Sequence, residues 1–172
     1  FIMEDNYDLK KLVNKKKKKR VNSRRKGNTF ATKICKMFNE RFNTKEFCKT
    51  PGSGAFATIH SLPKHLQIYG DIITIEKFKY TIECKKGYNK ESINSIFNYS
   101  SEFWKFITQI ERDAEESGRQ PLLIFQQDRQ PILAVCREDS FPHVEPYVKF
   151  EKYKMFLFAN LLETDDFYWL GD

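Results

Sequence analysis

The sequence predicts an α/β fold in which a mixed central β-sheet is flanked by helices on both faces. Three observations predict it. Residues 78–85 alternate, with Phe78, Tyr80, Ile82 and Cys84 on one side and Lys79, Thr81, Glu83 and Lys85 on the other, the period of a strand. Phe30, Ile34, Met37, Phe38 and Phe42 recur at helical spacing, as do Phe103, Ile107, Ile110 and Ala114, which gives two amphipathic helices. Residues 121–126 are almost continuously apolar, as in a strand covered on both faces.

The elements follow in order. Residues 1–9 carry no pattern. Residues 10–25, with Lys15, Lys16, Lys17, Lys18, Lys19, Arg20, Arg24 and Arg25, are basic without a single acid. Such a run repels itself and buries no core. It predicts an N-terminal arm over residues 1–25, read either as lying on DNA phosphates, where with Lys26 it adds affinity through counterion release but no sequence information, or as a solvated tail or nuclear-localisation-like run. Asn28 or Thr29 can cap a helix reaching about Phe42, with Ala31 beside its apolar stripe. A short strand over 46–50 leads into Pro51-Gly52-Ser53-Gly54. Glycines allow the close backbone approach that a phosphate-contacting loop uses, and Ser53 offers a donor. Residues 57–69 read as an irregular connection that leaves His60, Lys64 and His65 available to DNA.

A hairpin turning near Glu76 and Lys77 is expected next, followed by a basic loop whose Lys86 and Lys90 grip a phosphate while Tyr88 stacks on sugar or base. Ser100 or Ser101 caps the second helix and Gly118 ends it, with Trp104 and Gln109 off its buried stripe. The apolar strand 121–126 turns at Asp128-Arg129-Gln130 into an antiparallel strand over 131–137. Residues 138–172 form a C-terminal extension with added strands near 147–150 and 154–158. Its aromatic residues are expected on the core or at a dimer interface.

Composition fits one domain with extensions: 172 residues, 40% of them hydrophobic, including sixteen Phe and eight Tyr. Thirty basic residues against 23 acidic ones give +7, which favours a polyanionic partner. The charge is polarised, because the last ten residues hold four acids and no base, so DNA contact is expected from the N-terminal side and a solvent- or protein-facing C-terminus. Cys35, Cys48, Cys84 and Cys136 are scattered, and no zinc spacing joins them to His60, His65 or His143. Free thiols in a reducing cytoplasm are expected, the host cytoplasm for a viral chain, and the basic run is also compatible with a nucleus. No apolar run approaches the ~18 residues of a membrane span, and no signal peptide is expected ahead of the basic stretch.

The hairpin brings Asp71 close to Glu83, so two carboxylates and a lysine converge at one edge of a sheet. That is what a divalent cation and a water nucleophile need to hydrolyse a phosphodiester. Asp71 and Glu83 are the expected ligands of Mg²⁺ or Mn²⁺, with the backbone carbonyl of Cys84 as a third. Lys85 would orient or deprotonate the water, or stabilise the phosphorus. From alternation alone, Glu83 and Lys85 also read as solvated residues on a half-exposed strand.

The pattern Gly70-Asp71-x₁₁-Glu83-Cys84-Lys85 resembles the signature of the PD-(D/E)xK nuclease superfamily. The order of flanking elements, from a first helix and a Gly-Ser-Gly loop to a helix with Trp and Gln, is similar to its archaeal and phage Holliday-junction-resolvase branch. The resemblance runs over residues 24–135. It implies a restriction-endonuclease-like core over 26–137, magnesium-dependent cleavage leaving a 5′-phosphate, branched DNA as substrate, and a twofold homodimer. It also implies that Gln109 faces the active site and positions substrate or metal-bound water. In that branch an acid stands where this chain has Ala31, after Lys26-Gly27-Asn28-Thr29-Phe30. Alanine binds no metal, so this chain reads either as a deliberately disabled form or as one whose acid has moved, with Glu40 and Glu46 as candidates. A homing or restriction-type endonuclease and a non-catalytic DNA-binding module are the rival readings.

Overall fold

The computed structural model describes residues 23–51 and 69–171. Lys15 to Lys19, Arg20, the Gly52-Ser53-Gly54 loop and His60, Lys64 and His65 lie outside the described residues. Helix α1 spans Ser23–Arg41. Asn28 and Thr29 are therefore inside the helix rather than capping it. Thr29 Oγ1 donates to the Arg25 carbonyl and Thr32 Oγ1 to the Asn28 carbonyl, each at 2.9 Å. Arg24, Arg25 and Lys26 are good helix formers, and this continuation outweighs the cost of Gly27, about 1 kcal/mol against alanine.

Strands β1 (Cys48–Lys49) and β2 (Ile72–Ile73) form a separate antiparallel pair. The main sheet has five strands: β3 (Tyr80–Lys86), β4 (Gln120–Gln126), β5 (Leu133–Arg137), β6 (Tyr147–Phe150) and β7 (Tyr153–Leu157), in the order β3-β4-β5-β7-β6. Only β3 and β4 run parallel. Parallel neighbours need a crossover, and α2 (Glu102–Ser117) supplies it, preceded by a 3₁₀ helix at Ile93–Phe97. Gly118, at φ 71°, caps α2 by donating to the Ala114 and Glu115 carbonyls. At the other end Ser101 occupies the cap position, but its hydroxyl donates to the Ser95 carbonyl instead of closing α2.

Strand alternation divides the interior in two. Tyr80, Ile82 and Cys84 join Leu122, Ile124, Ala134 and Cys136 against α1, while Leu123 and Val135 face α2 on the opposite side. Trp104 belongs to this second core, contrary to its expected place off the stripe. Its indole N–H donates to the Ile96 carbonyl at 2.9 Å, so the 3₁₀ helix both covers and satisfies it.

The C-terminal residues complete the fold. Strands β6 and β7 extend the main sheet, and α3 (Phe158–Leu162) and α4 (Asp166–Trp169) follow. Asp165 and Asp166 are exposed, but the C-terminus is not simply solvent-facing, because Trp169 is fully buried among Phe38, Phe78, Tyr80 and Phe141. Lys79 N–H donates to the Trp169 carbonyl at 2.8 Å and Gly171 N–H to that of Lys77 at 2.7 Å. The end of the chain thus fixes the segment that enters β3. Among the described residues no helix is long and apolar enough to cross a membrane.

Candidate active site

Asp71 is held from three sides. Its N–H donates to the Ile82 carbonyl at 2.8 Å, its carbonyl accepts from Thr50 N–H at 2.9 Å, and its Oδ2 accepts from Cys84 N–H at 2.9 Å. Gly70 makes this approach possible. It has φ 73°, and a Cβ there would lie 2.4 Å from the Ile82 carbonyl oxygen. The turn at Glu76 and Lys77 forms as expected, with Phe78 N–H donating to the Ile75 carbonyl at 3.1 Å. The hairpin ladder does not, because β2 pairs with β1 and the chain meets β3 through Asp71 instead. Cys84 contributes its N–H to Asp71, while its buried thiol belongs to the α1-side core.

Glu83 and Lys85 project from β3 toward α2, where Gln109 bridges them. Lys85 Nζ lies 2.6 Å from Glu83 Oε1 and donates to Gln109 Oε1 at 3.0 Å, while Gln109 Nε2 donates to Glu83 Oε1 at 2.9 Å. Lys85 also sits over the Phe106 ring, 5.0 Å from its centroid. Glu83 is only 3% exposed. Burial, then the Asp71 charge, pushes its pKa up to about 7 against the opposing Lys85. Burial raises Asp71 as well, with the Cys84 N–H and Lys85 opposing. Lys85 loses some affinity for its proton through burial, but Glu83 and Asp71 outweigh that, so the amine is held charged above its ordinary range.

The same helix face carries a residue that the sequence reading passed over. Asp113 lies one turn beyond Gln109, and its charge raises the pKa of both Asp71 and Glu83. One turn further, Ser117 Oγ lies 2.6 Å from Thr81 Oγ1. The spacing Gln109, Asp113, Ser117 against Lys85, Glu83, Thr81 is the available signal: two polar ladders facing each other across the helix–sheet interface. Position 31 lies on the other side of the sheet from Gln109 and Asp113. Ala31 is 4% exposed and packs in the α1-side core. Of the two acids considered in its place, Glu40 is exposed and pairs with Lys36, while Glu46 accepts from Thr44. A groove of about 540 Å³ between α1 and β1 contains Glu40 but none of the β3 residues.

At the mouth of the site, Lys26 Nζ and Asn89 Nδ2 each donate to Asp128 Oδ2 at 3.0 Å, and Lys86 Nζ lies 3.9 Å from Oδ1. Burial lowers the Lys86 pKa, and Lys33 and Lys26 push the same way while Asp128 opposes them. Asp128, read from the sequence only as a turn residue, gathers these cations on one side. Lys90 and Arg25 are exposed, Tyr88 packs its ring on Phe106 at 4.6 Å, and Arg24 falls in the first turn of α1.

The comparison with known proteins meets this geometry directly. The profile of a family described as "Phage putative PDDEXK endonuclease" matches residues 22–159. This chain belongs to that family. The phage PD-(D/E)xK match covers the described strands β3, β4 and β5 and extends through β6 and β7, beyond the segment that carried the resemblance in sequence. Protein D14 of Escherichia phage T5 is 31% identical over 127 residues, which is 73% of this chain and 76% of that protein. No solved structure matches.

PD-(D/E)xK nucleases generally use divalent metals. The donor set here fits one: the buried carboxylate of Glu83 and the half-buried one of Asp71 supply hard oxygen, and desolvation gives each a reason to bind a cation. Among the described residues no three His, Cys, Asp or Glu side chains gather as a metal cluster. Two carboxylates suffice for a small cation that keeps much of its own water.

Proposed function

We propose that this protein is a magnesium-dependent DNA endonuclease acting on branched DNA, a Holliday-junction resolvase by preference, working as a twofold dimer in the host cytoplasm. The observation that supports this reading most is the joining of Glu83, Lys85 and Gln109 beside an Asp71 locked onto the backbone of β3. Asp71 and Glu83 would hold the metal, which would supply Lewis-acid stabilisation and lower the pKa of a bound water. The backbone clamp fixes the direction of Asp71. Glu83 must lose its proton to bind a cation, so activity rises with pH through the region near 7. Charged Lys85 faces the scissile phosphate as a cation and proton donor rather than as a base. Gln109 keeps Glu83 and Lys85 in register. Lys26, Lys86 and Lys90, with the basic residues at 10–25 and the Gly52-Ser53-Gly54 loop, bind backbone phosphate.

The test is cleavage of a four-way junction and a matched linear duplex, with magnesium and with chelator, by the unmodified protein and by its Ala31→Glu and Asp71→Asn variants. Junction-selective paired nicking that needs magnesium and is lost in Asp71→Asn is the expected result. If it occurs only in Ala31→Glu, the unmodified protein is a disabled form. Cutting of linear DNA alone replaces the resolvase reading with a site-specific one. Undiminished cleavage by Asp71→Asn overturns the metal-site assignment.

A further inference from the structure

Among the described residues, half of the large exposed apolar side chains come from one short segment, the others being Tyr147, Val148 and Leu157 on β6 and β7 and Phe167 in α4. Tyr88, Ile93, Phe97 and Tyr99 fall within twelve residues between β3 and α2, and Phe97 is 80% exposed. Such an accumulation marks an interaction surface rather than chance exposure. The mount is well fastened. Ser92 and Ser95 close the 3₁₀ helix with reciprocal hydrogen bonds, and Glu91 accepts from Phe103 N–H at 3.2 Å. Buried Ile96 and Trp104 then pin the 3₁₀ helix to α2.

We propose that this surface is a stacking platform for unpaired nucleobases of the DNA substrate. The inference rests on the nuclease reading above and names the feature of branched DNA that the enzyme grips. Two observations select nucleobases as the occupant. The first is continuity with the chemistry. Tyr99 stacks on Trp104 with ring centroids 4.9 Å apart, and both line an open groove of about 380 Å³ with Lys105, Thr108, Gln109 and Arg112. Gln109, which joins Glu83 to Lys85, is also one wall of this groove, so the groove and the candidate site share a residue. On the other side of α2, Tyr88 packs on the Phe106 ring that lies under Lys85. A strand stacked on Tyr99 would therefore run directly toward the catalytic lysine.

The second observation is charge. Lys105 and Arg112 line the same groove, are mostly exposed, and among the described residues form ion pairs with their helix neighbours Glu102 and Asp113. The exposed Lys105–Glu102 pair contributes little, so Lys105 can turn to a phosphate, and the exposed Arg112 guanidinium faces the same groove. Aromatic rings bordered by cations bind single strands without sequence preference, because every base has a π-face. Duplex DNA hides its bases, so the platform engages only strands that are open at a branch.

The experiment measures binding of an oligo-dT strand and of a matched duplex by the full chain and by its Phe97→Ala, Tyr99→Ala and Phe167→Ala variants. Trp104 emission reports contact. Phe97 and Phe167 are both highly exposed, so neither substitution threatens folding, and Phe167 serves as the control. Phe97→Ala and Tyr99→Ala are each expected to weaken single-strand binding roughly 10-fold, within the range of one lost stack, with duplex binding and the control unchanged. Equal losses on strand and duplex, or no loss on either, overturn the platform. A shift from dimer to monomer in sedimentation with DNA binding intact assigns the surface to a second copy of the chain and also overturns it. Junction cleavage by the unmodified chain separates the two readings. If it proceeds while the variants bind single strands normally, the platform fails alone, and if the unmodified chain neither binds nor cuts DNA, the nuclease reading fails with it.

Discussion

The two faces of β3 are both largely buried and chemically opposite. Toward α1, Tyr80, Ile82 and Cys84 meet a dry assembly in which Phe38, Phe78 and Trp169 pack edge-to-face or stacked at 5.5–5.7 Å. Toward α2, Thr81, Glu83 and Lys85 meet Ser117 and Gln109 through hydrogen bonds and one ion pair. The aromatic face holds the fold under any conditions that leave the hydrophobic effect intact. The polar face is satisfied only while its partners carry suitable protons. Burial there stores a demand for a cation, which links the stability of the strand to its chemistry.

The sharpest way to break the comparison is substitution on each side. Glu83→Gln is expected to abolish metal-dependent cleavage while leaving the melting temperature in chelator nearly unchanged below pH 7, because there it replaces a carboxyl that burial already keeps protonated. Gln109→Ala is expected to cost about 10- to 100-fold in activity, the usual scale for a residue that orients a ligand. A large drop in melting temperature for Glu83→Gln would show that the polar face is structural. Next in size, Trp169→Ala should lose about 3–5 kcal/mol in chemical denaturation, equally with metal and with chelator. A loss that depends on metal would mean the two faces are not separable.

The pH dependence of stability is the most diagnostic. Between pH 4.5 and about 7, folded Glu83 keeps a proton that the unfolded chain has released. Stability in chelator therefore falls as pH rises through that window, by on the order of 3 kcal/mol at most. Glu83→Gln flattens the slope, and magnesium offsets it at pH 8 more than at pH 5.5. Denaturation midpoints across pH for both proteins measure this. Identical slopes would remove Glu83 from the account.

What was legible in sequence was mostly local. Asp71, Glu83 and Lys85 were found because alternation and a turn at Glu76 and Lys77 place them together within fifteen residues. The strand pair at 121–137 was legible from its continuous apolar runs, and it forms antiparallel in β4 and β5. Gln109 came from family resemblance, since nothing near it in the chain points to Glu83. Residues whose meaning comes from distant partners were misread or missed. Trp104 is buried because the Ile96 carbonyl accepts its N–H, and Asp128 matters because α1 sends Lys26 toward it. The start of α1 was placed too late because Asn28 and Thr29 carry capping chemistry, yet their carbonyl and hydroxyl groups find helical partners instead.

The close crossing at Gly70 has a consequence for how this protein tolerates change. Every side chain other than hydrogen would place an atom 2.4 Å from the Ile82 carbonyl. Position 70 should therefore rank with Asp71 and Glu83 in a saturation library selected for cleavage, although it has no group that touches substrate. The site can be retuned through Gln109, Asp113 or the groove beside it, but the distance between the Asp71 segment and β3 is fixed by the absence of a carbon atom.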